Sequence, residues 1–538
     1  MIGYGPTGVT AAIGLGSLGI STVALERDRD IYPRARAVTV NDWTMRIFQA
    51  MDVGESIERL VERMRALRWI TYDGKEIMRQ EFPPSALGSP GGARFYNIYQ
   101  PTMEAALREE AGRFGARAAV RYGVEVVDVE QDAAGVTVIA KNLATGEATN
   151  VRARYAIAAD GGGSTTRRRL GIRLLGDTQE TEWVIIDCRA KRWWPDRNLL
   201  TFWSDREHPV VDIMLAGGNH RWEIPLEPTE CPEDYPTAAE VWPLLHRMGV
   251  TEEDVEIRQH AFYKHHLRSA DRWRVGRVFL AGDAAHLMPP WAGSGMQTGI
   301  RDAWDLAWKL AGVLKGQLPE AVLDSYAAER KPNADFYTHL SVELGKIIKQ
   351  ELSEEELAAM APPELPEGAE PPEAPLIAPP VLAGGWLRGP LGEESIVGRM
   401  VPQPLVSTPN GVFRRLDDLL GHHFVLLGDG VDPRTLLSKS ERAEWEALGA
   451  RFLAVRPVTE SSEGEDELVD LEGVLGAWLR KYDVRAVAVR PDRFVAAADV
   501  SGLAVPELPV QAAPESAVVA PDNDQLASAV GRAERQTR

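Results

Sequence analysis

The chain has 538 residues, of which 44% are hydrophobic and 26% are charged, and its net charge is −19. Its length exceeds that of one compact core, so roughly two or three domains are expected. The acidic charge argues against nucleic acid or anionic membranes as main partners. Two cysteines, Cys188 and Cys231, exclude a disulfide framework and favour a cytoplasmic location, and no apolar run reaches the roughly 18 residues of a transmembrane helix. No metal site is predicted.

The chain opens with a turn, a helix and a strand, predicted at residues 3–8, 9–18 and 21–26. That order is typical of a dinucleotide-binding unit. Met1 and Ile2 alone precede the turn, whereas a strand normally has about five residues. We therefore expect that the sequence begins late, through a misassigned start or a truncation.

Alternating strand-like runs between residues 175 and 270, such as 183–186 and 210–215, predict a sheet that holds a substrate. A short apolar strand is predicted at residues 278–280. Beyond it, a long helix is predicted from apolar residues that share one face at helical spacing, namely Ile300, Ala303, Ala307, Leu310 and Leu314.

The composition changes near residue 350. Residues 351–385 are rich in Pro, Glu and Ala and predict a linker. Residues 386–510 predict an α/β domain, with strands at 424–427, 452–455 and 486–489 and a helix at 474–481. Residues 511–538 are rich in Ala, Pro and Ser and predict a flexible tail.

The first motif, Gly3-Tyr4-Gly5-Pro6-Thr7-Gly8, has the form G-x-G-x-x-G. Its glycines permit a tight turn and let backbone N–H groups approach a pyrophosphate at a helix N-terminus. Glu26 ends the next predicted strand, where an acidic residue accepts hydrogen bonds from a ribose. Gly14-Leu15-Gly16-Ser17-Leu18-Gly19 also fits the pattern, but its glycines fall in or just after the helix and Glu26 follows too closely.

The second motif is Asp160-Gly161-Gly162-Gly163-Ser164-Thr165-Thr166-Arg167, which follows a strand-like run at residues 155–159. Taken alone, it fits a simple Asp-Gly turn at least as well as a binding loop.

The third motif, Gly282-Asp283-Ala284-Ala285-His286, precedes Pro289-Pro290 and Gly293-Ser294-Gly295-Met296-Gln297. Asp283 follows a buried strand and can hold a sugar-like hydroxyl. The free N–H groups at the start of the following helix favour an anion. His286 is a candidate catalytic residue by type, although a capping or packing histidine fits the pattern equally well.

In this order, the three motifs resemble those of single-component flavoprotein aromatic hydroxylases, the para-hydroxybenzoate hydroxylase superfamily. The resemblance covers most of residues 1–345 and includes Tyr326-Ala327-Ala328-Glu329-Arg330-Lys331-Pro332, which matches a Y-x-x-E-R-x-P segment. Within the superfamily, residues 270–273, 343–348 and 489–495 are most similar to 3-(3-hydroxyphenyl)propionate hydroxylases.

The resemblance implies an α/β fold with a Rossmann-like FAD-binding domain, at residues 1–174 and 271–350, and an interleaved α+β substrate-binding domain, at residues 175–270. It also implies that the domain at 386–510 is thioredoxin-like. That domain has no C-x-x-C pair, so a structural or homo-oligomer-forming role is expected rather than redox chemistry.

The resemblance also implies which residues bind FAD. Those for the ADP half are Gly3, Gly5, Thr7, Gly8, Glu26 and Arg27. Those for the pyrophosphate or ribityl chain are Arg36, Gln100, Gly282 and Asp283, and Asp160 is linked to both FAD and the nicotinamide nucleotide. Those for the isoalloxazine ring are Pro290, Gly293, Gly295, Met296 and Gln297. Gln297 stands where the family usually has Asn.

The implied activity is monooxygenation of a phenolic aromatic acid with NADH or NADPH and O2, through a flavin hydroperoxide. A base must draw the proton from the phenol, and His286, His265, His266 and Tyr263 are candidates by residue type. A propionate group would favour an arginine or lysine. Candidates by type are Arg189, Lys191, Arg192 and Arg268, although solvated surface charge fits each of them as well.

Three other functions share these motifs. A flavin-dependent halogenase should carry a W-x-W-x-I-P segment, which the chain lacks. A hydroxylase of a polyketide or antibiotic would use the same machinery with a larger pocket. A non-catalytic FAD-binding scaffold is the third alternative.

Overall fold

The computed structural model describes residues 1–82, 95–351, 381–462 and 464–507. Its first part alternates helices and strands, as the predicted α/β class requires. The helices are α1 (Pro6–Ser17), α2 (Asp42–Ala50), α3 (Gly54–Glu58), α4 (Gln100–Gly112) and α5 (Thr165–Arg169). The strands are β1 (Thr22–Glu26), β2 (Thr39–Asn41), β3 (Glu62–Arg63), β4 (Ala66–Ile70), β5 (Glu76–Glu81), β6 (Phe95–Asn97), β7 (Ala118–Tyr122), β8 (Val124–Asp132), β9 (Gly135–Asn142), β10 (Ala148–Ala153) and β11 (Ala156–Ala158).

A parallel sheet forms the centre of this first part. Strand β1 pairs with β7, and Ile2 bridges β1 and β11 through Leu25 and Ala158. Helix α1 covers the sheet and is buried along most of its length. An added Cβ at Gly14 would lie 2.9 Å from the Cβ of Ala307, and one at Gly16 would lie 2.8 Å from Phe114. Gly14 and Gly16 of the second glycine run therefore allow close packing of α1.

The predicted substrate domain is a large sheet whose strands come mostly from the middle of the chain. This part of the chain contains helix α6 (Ala238–His246) and the strands β12 (Leu174–Ala190), β13 (Leu200–Trp203), β14 (Val210–Leu215), β15 (Asn219–Pro225), β16 (Val255–Ala270), β17 (Arg274–Val275), β18 (Val278–Leu280) and β19 (His286–Leu287). Strands β17 and β18 extend the first domain's sheet beside β11. The described strands of the substrate sheet have the order β19-β16-β12-β15-β14-β13-β4-β5.

Strands β4 and β5 correct the predicted domain boundaries. Residues 1–174 were assigned to the FAD-binding domain, yet β4 pairs in parallel with β13 and extends the substrate sheet. The pairing joins residues more than a hundred positions apart, so no local pattern reveals it. The first part of the chain therefore supplies one edge of the sheet predicted to bind the substrate.

Two long helices follow, α7 (Gly295–Leu314) and α8 (Ser325–Ile348). Helix α7 is buried from Gln297 to Val313 because it packs between α1 and the rest of the first domain. No helix in the described ranges has both the length and the apolar character that a membrane crossing needs.

The C-terminal part is an α/β domain, as predicted. Its helices are α9 (Leu416–Leu420), α10 (Lys439–Ala447) and α11 (Val474–Lys481). Its strands are β20 (Leu405–Ser407), β21 (Phe413–Arg415), β22 (Val425–Asp429), β23 (Arg451–Pro457), β24 (Glu467–Asp470), β25 (Ala486–Val489) and β26 (Val495–Ala498). They form a mixed sheet in the order β21-β20-β24-β23-β22-β25-β26. Its thioredoxin-like character stays a prediction, and most of the predicted linker and all of the predicted tail lie outside the described residues.

Buried ion pairs join the C-terminal domain to the first domain. Arg490 donates two hydrogen bonds to Glu329 of α8, at 3.0 and 2.6 Å, and Lys309 of α7 donates another to Glu329 at 2.8 Å. Burial favours the neutral form of Glu329, but Arg490 and Lys309 outweigh burial and hold its pKa far below the usual value. Burial raises the pKa of the neighbouring Asp305 to about 7.

Carboxylate oxygens of Asp305, Glu329 and Asp492 lie within 4.8 Å of one another. Lys309 bonds to Asp305 and Glu329, and Arg490 bonds to Glu329 and Asp492. Because these two cations already supply the positive charge between the carboxylates, the group is an ion-pair network that joins domains.

Replacing Arg490 with Met should lower the free energy of unfolding by about 3–5 kcal/mol, because buried carboxylates lose their partner. The depressed pKa of Glu329 means that its stabilisation is present at neutral pH and declines as the pH falls below its ordinary value of 4.5. Urea unfolding near pH 7 and near pH 4 measures both effects, and we expect the variant's deficit to shrink at the lower pH.

Arg442→Met is the matched control, because Arg442 and Glu446 form a half-exposed pair on α10. Its effect should stay below about 1 kcal/mol. Equal losses in the two variants would contradict the role of the Arg490 network.

Candidate active site

Two glycines of the first motif are required by close packing, and the third leaves open space. Gly3 has φ +89°, and an added Cβ would lie 2.4 Å from the carbonyl oxygen of Ala159. An added Cβ at Gly8 would lie 2.2 Å from the oxygen of Gly3. Gly5 has no such neighbour within 4 Å and borders the main cavity. Gly3 and Gly8 thus allow the turn to pack closely against its neighbours, and Gly5 leaves the backbone of the turn open to the cavity.

Glu26 lies at the end of β1, beside this turn. Its carboxylate accepts hydrogen bonds from the backbone N–H groups of Tyr4, at 2.6 Å, and Asp28, at 2.9 Å. Arg27 is exposed and pairs with Asp28. Neither Glu26 nor Arg27 borders the cavity, so their predicted contact with the ADP half of FAD stays a prediction.

The second motif folds as a turn that its own aspartate closes. Asp160 accepts hydrogen bonds from the Ser164 hydroxyl at 2.6 Å and the Thr166 N–H at 3.0 Å. The glycines between them border the cavity, whereas Asp160 does not. Arg167, the last residue of this motif and one to which no role was given, borders the cavity and donates to the oxygens of Gly162 and Ala284. It thereby joins the second motif to the third.

The third motif contacts the first motif and Arg36, and Gln100 in turn holds the backbone of Arg36. Gly282 has φ +61°, and an added Cβ would lie 2.5 Å from the hydroxyl of Thr7. Asp283 borders the cavity, with its Oδ2 3.5 Å from Nη1 of Arg36. The Gln100 side chain accepts hydrogen bonds from the backbone N–H groups of Arg36 and Ala37, at 2.9 and 2.8 Å.

Pro290, Gly293, Gly295 and Met296 border the cavity where α7 begins, and their contact with the flavin ring stays a prediction. Gln297, also predicted to line the isoalloxazine ring, is fully buried and does not border the cavity. Its side-chain oxygen accepts from Asn41 N–H at 2.8 Å and the Thr44 hydroxyl at 2.7 Å, and its nitrogen donates to the Gly293 oxygen at 2.7 Å. Gln297 therefore braces the loop that borders the cavity.

His286 is also placed differently from its candidate catalytic role. Its ring is buried outside the cavity, stacks on Trp273, and places Nε2 2.7 Å from Oδ2 of Asp302. A histidine that contacts no cavity cannot reach a substrate there, so packing and hydrogen bonding account for it.

One cavity of about 990 Å³ joins the predicted flavin residues to the substrate sheet. Alternate residues of neighbouring strands form its floor, since side chains along a strand point to opposite faces. The floor residues are Leu67, Trp69, Ile185, Asp187, Leu200, Phe202, Val211, Ile213, Arg221, Glu223, Gln259, Ala261, Tyr263 and His265. The floor is apolar over β4, β13 and β14, and polar over β12, β15 and β16.

The polar residues of the floor mostly bind one another. Arg221 forms a two-point pair with Asp187, at 2.7 and 3.0 Å, and also donates to the backbone oxygens of Ala35 and Arg36. The Tyr263 hydroxyl donates to Glu223 at 2.9 Å. Burial raises the pKa of Glu223 despite the nearby Arg221, and burial beside Glu223 raises the pKa of Tyr263 well above its usual value. Arg221 thus fixes the loop that carries Arg36.

The other candidate residues divide into two groups. Arg268, His266 and His265 border the cavity. Arg189, Lys191 and Arg192 lie at the far end of β12 and beyond it, bind Gly217, Glu252 and Asp254, and do not border the cavity. The surface-charge interpretation therefore fits these last three.

Comparisons with known proteins agree with this arrangement. A family described as "FAD binding domain" matches residues 1–340, and one described as "HcaD C-terminal domain" matches residues 398–506. Two curated relatives are each 33% identical to this chain over 94% of its length. Both are named 3-(3-hydroxy-phenyl)propionate/3-hydroxycinnamic acid hydroxylase, one from Burkholderia cenocepacia, of which 94% is covered, and one from Mycolicibacterium smegmatis, of which 91% is covered.

Solved structures with the same fold include the flavin-dependent monooxygenase PieE in complex with FAD and substrate. It has a TM-score of 0.76 and 23% identity, and the match covers 94% of this chain and 97% of PieE. Aklavinone-11 hydroxylase has a TM-score of 0.72 and 23% identity, with 98% of each chain covered. Since the FAD-binding family covers well over half of the chain and the relatives align with nearly all of it, the chain belongs to the family of FAD-dependent aromatic hydroxylases.

Proposed function

We propose that this protein hydroxylates the ring of a phenolic acid of the 3-(3-hydroxyphenyl)propionate and 3-hydroxycinnamate class, using FAD, NADH or NADPH, and O2. The observation that carries the proposal is the single cavity that borders both the FAD motifs and an aromatic sheet face. The names of relatives that align over 94% of the chain support the substrate class.

The residues present fit FAD. Gly5, Gly161 and Gly163 have no atom within 4 Å of an added Cβ, so backbone groups of two motifs are open to a ligand. The helices α1 and α7 both begin at the cavity, and neither first turn has a side-chain cap. Such helix ends favour phosphate oxygens and the electron-rich edge of a reduced flavin.

Gly5, Thr7, Arg36 and Asp283 would hold the dinucleotide and its ribityl chain, and the segment Pro290 to Met296 would hold the ring. Bound FAD, once reduced by the nicotinamide nucleotide, supplies the oxygen activation that no side chain provides. The protein's own part is to hold and orient the substrate and to exclude water.

Aromatic side chains suit that part. Trp69 stacks on Phe202 with ring centroids 4.9 Å apart, and both rings border the cavity, as does Trp291. Phe95, Leu340 and other apolar residues complete this end of the cavity. A planar phenolic ring buries its faces against such a lining, and little polar surface remains there to hold water.

PieE and aklavinone-11 hydroxylase share the fold at 23% identity, and this likeness does not distinguish the phenolic acid from the substrate of the antibiotic-hydroxylase alternative. The halogenase and scaffold alternatives find no support among the relatives named above. We further propose that the enzyme is cytoplasmic and that it forms homo-oligomers. The cysteines support the cytoplasmic location, since Cys188 is buried, Cys231 is exposed, and neither forms a disulfide.

The first test is a substrate panel with the FAD-loaded enzyme. 3-(3-Hydroxyphenyl)propionate and 3-hydroxycinnamate should accelerate NADH or NADPH oxidation by about tenfold or more over the rate without substrate, and the product should gain one oxygen atom by mass. Simple phenols and polyketide-like naphthols complete the panel. Product from the naphthols alone would favour the antibiotic-hydroxylase alternative, and no product from any phenol would sink the hydroxylase proposal.

The second test separates FAD binding from folding. Gly5→Ala should weaken FAD binding by about tenfold or more, because a methyl group enters the space that the pyrophosphate requires. The fold should persist, since an added Cβ there meets no protein atom within 4 Å. Titration of the FAD-depleted protein with FAD, followed by flavin fluorescence, measures the dissociation constant.

Gly112→Ala is the control for Gly5→Ala. Gly112 also has no atom within 4 Å of an added Cβ, but it lies in α4, away from the cavity. Its FAD affinity should equal that of the wild type. Unchanged affinity in Gly5→Ala would remove the first motif from the proposed FAD site.

A further inference from the structure

His265 is a buried histidine at the cavity whose two ring nitrogens both lack a hydrogen-bond partner. Its side chain is 2% exposed. It lies in β16 beside a register shift, where β12 pairs irregularly between Thr178 and Glu182. Leaving a buried polar group unpaired is destabilising, because the group has lost its hydrogen bonds to water and gained none in return. A ligand with a hydroxyl group in the cavity would satisfy it.

Aromatic rings surround this imidazole. Trp183 stacks with it at a centroid distance of 5.1 Å, Trp291 meets it edge-on at 4.7 Å, and Tyr263 lies 4.9 Å away. Trp291 also lies between Pro290 and Gly293, in the segment predicted to line the flavin ring. His265 is therefore next to both an aromatic slot and the flavin end of the cavity.

Several neighbouring polar groups on the same sheet already have partners. The Tyr263 hydroxyl donates to Glu223, and Arg221 pairs with Asp187. Nδ1 of His266 lies 2.8 Å from the Thr178 hydroxyl. Among the histidines that border the cavity in the described ranges, His265 is the one with both nitrogens unpaired.

We propose that a ring nitrogen of His265 accepts a hydrogen bond from the phenolic hydroxyl of the substrate, with Trp291 beside that end of the ring and Trp183 packed against the imidazole outside the cavity. The inference rests on the proposed function and names the residue that recognises the hydroxyl.

The protonation state of the ring agrees with this role. Burial, aided by the positive charge of Lys349 and by His266, lowers the pKa of His265 to about 3. The imidazole is therefore neutral near pH 7 and has one nitrogen that accepts and one that donates. So weak a base holds and polarises the hydroxyl without removing its proton. Substrates that lack the hydroxyl leave the imidazole unpaired.

Two ligands that differ by one hydroxyl test this role. Isothermal titration calorimetry of the FAD-loaded, oxidised enzyme would compare 3-(3-hydroxyphenyl)propionate with 3-phenylpropionate. The wild type should bind the hydroxylated acid about tenfold more tightly, the ratio that one buried hydrogen bond provides. His265→Leu should reduce that ratio to less than about twofold, chiefly by weakening binding of the hydroxylated acid.

His265→Gln is the second variant, in case the leucine protein does not bind FAD. Its amide can accept a hydrogen bond but is placed differently, so the ratio should fall to about threefold or less. His246→Gln, in the exposed part of α6, is the matched control and should keep the wild-type ratio. Flavin absorbance confirms that each protein is loaded.

The outcomes separate the two proposals. If the wild type turns over phenols and the His265 variants keep the tenfold preference, the role of His265 is wrong and the proposed function stands. If the wild type shows no preference for the hydroxylated acid, the hydroxyl site is likewise wrong. If it forms no hydroxylated product from any phenol of the panel, the proposed function fails and this inference fails with it.

Discussion

The proposed flavin end of the cavity is the part bordered by Asp283 and the segment Pro290 to Met296. Its structure depends on the carboxylate of Asp302. It is fully buried in α7 and accepts hydrogen bonds from the Gly282 N–H at 3.1 Å, from Nε2 of His286 at 2.7 Å and from Nε of Arg330 at 2.9 Å. Burial would raise the pKa of Asp302, but His286 and Arg330 outweigh it and hold the pKa below its usual value. A buried charge without such partners would cost several kcal/mol, so the turn and both long helices must keep their places around it.

The two ends of the cavity differ in whether their polar side chains have hydrogen-bond partners. At the flavin end, Arg221 reaches from the sheet to the oxygens of Ala35 and Arg36, so the sheet positions a loop of the other domain. Because Arg221 is fully engaged there and with Asp187, it is not free for a substrate. At the aromatic end, His265 has no such partner. Arg221 thus holds the site together, whereas the imidazole of His265 stays without a partner, as the proposed recognition of a hydroxyl requires.

Patterns within single segments of the sequence were enough to predict much of the fold. The predicted strands 210–215, 278–280 and 486–489 and the helix 474–481 coincide with the observed elements, because alternation or helical spacing is visible within one segment. Pairing of β4 with β13 was not predictable, since it joins distant segments. Gln297 and His286 belong to recognised motifs, but whether a motif residue faces a cavity or a neighbouring helix is decided by tertiary packing. His265 was a candidate by type, and its place in line with Gln259, Ala261 and Tyr263 on one strand face was available from the two-residue period.

The segment Tyr326 to Pro332 shows why a recognisable sequence pattern need not touch a ligand. The Tyr326 hydroxyl donates to the oxygen of Leu280, at the end of the strand that leads into the third motif. Glu329 binds Arg490 of the C-terminal domain, and Arg330 binds Asp302. Consecutive residues of one helix turn therefore hold the domain contact and the flavin-end turn. A displacement of the C-terminal domain would act on α8 at Glu329, one residue from the partner of Asp302, so the domain supports the geometry of a site that it does not border.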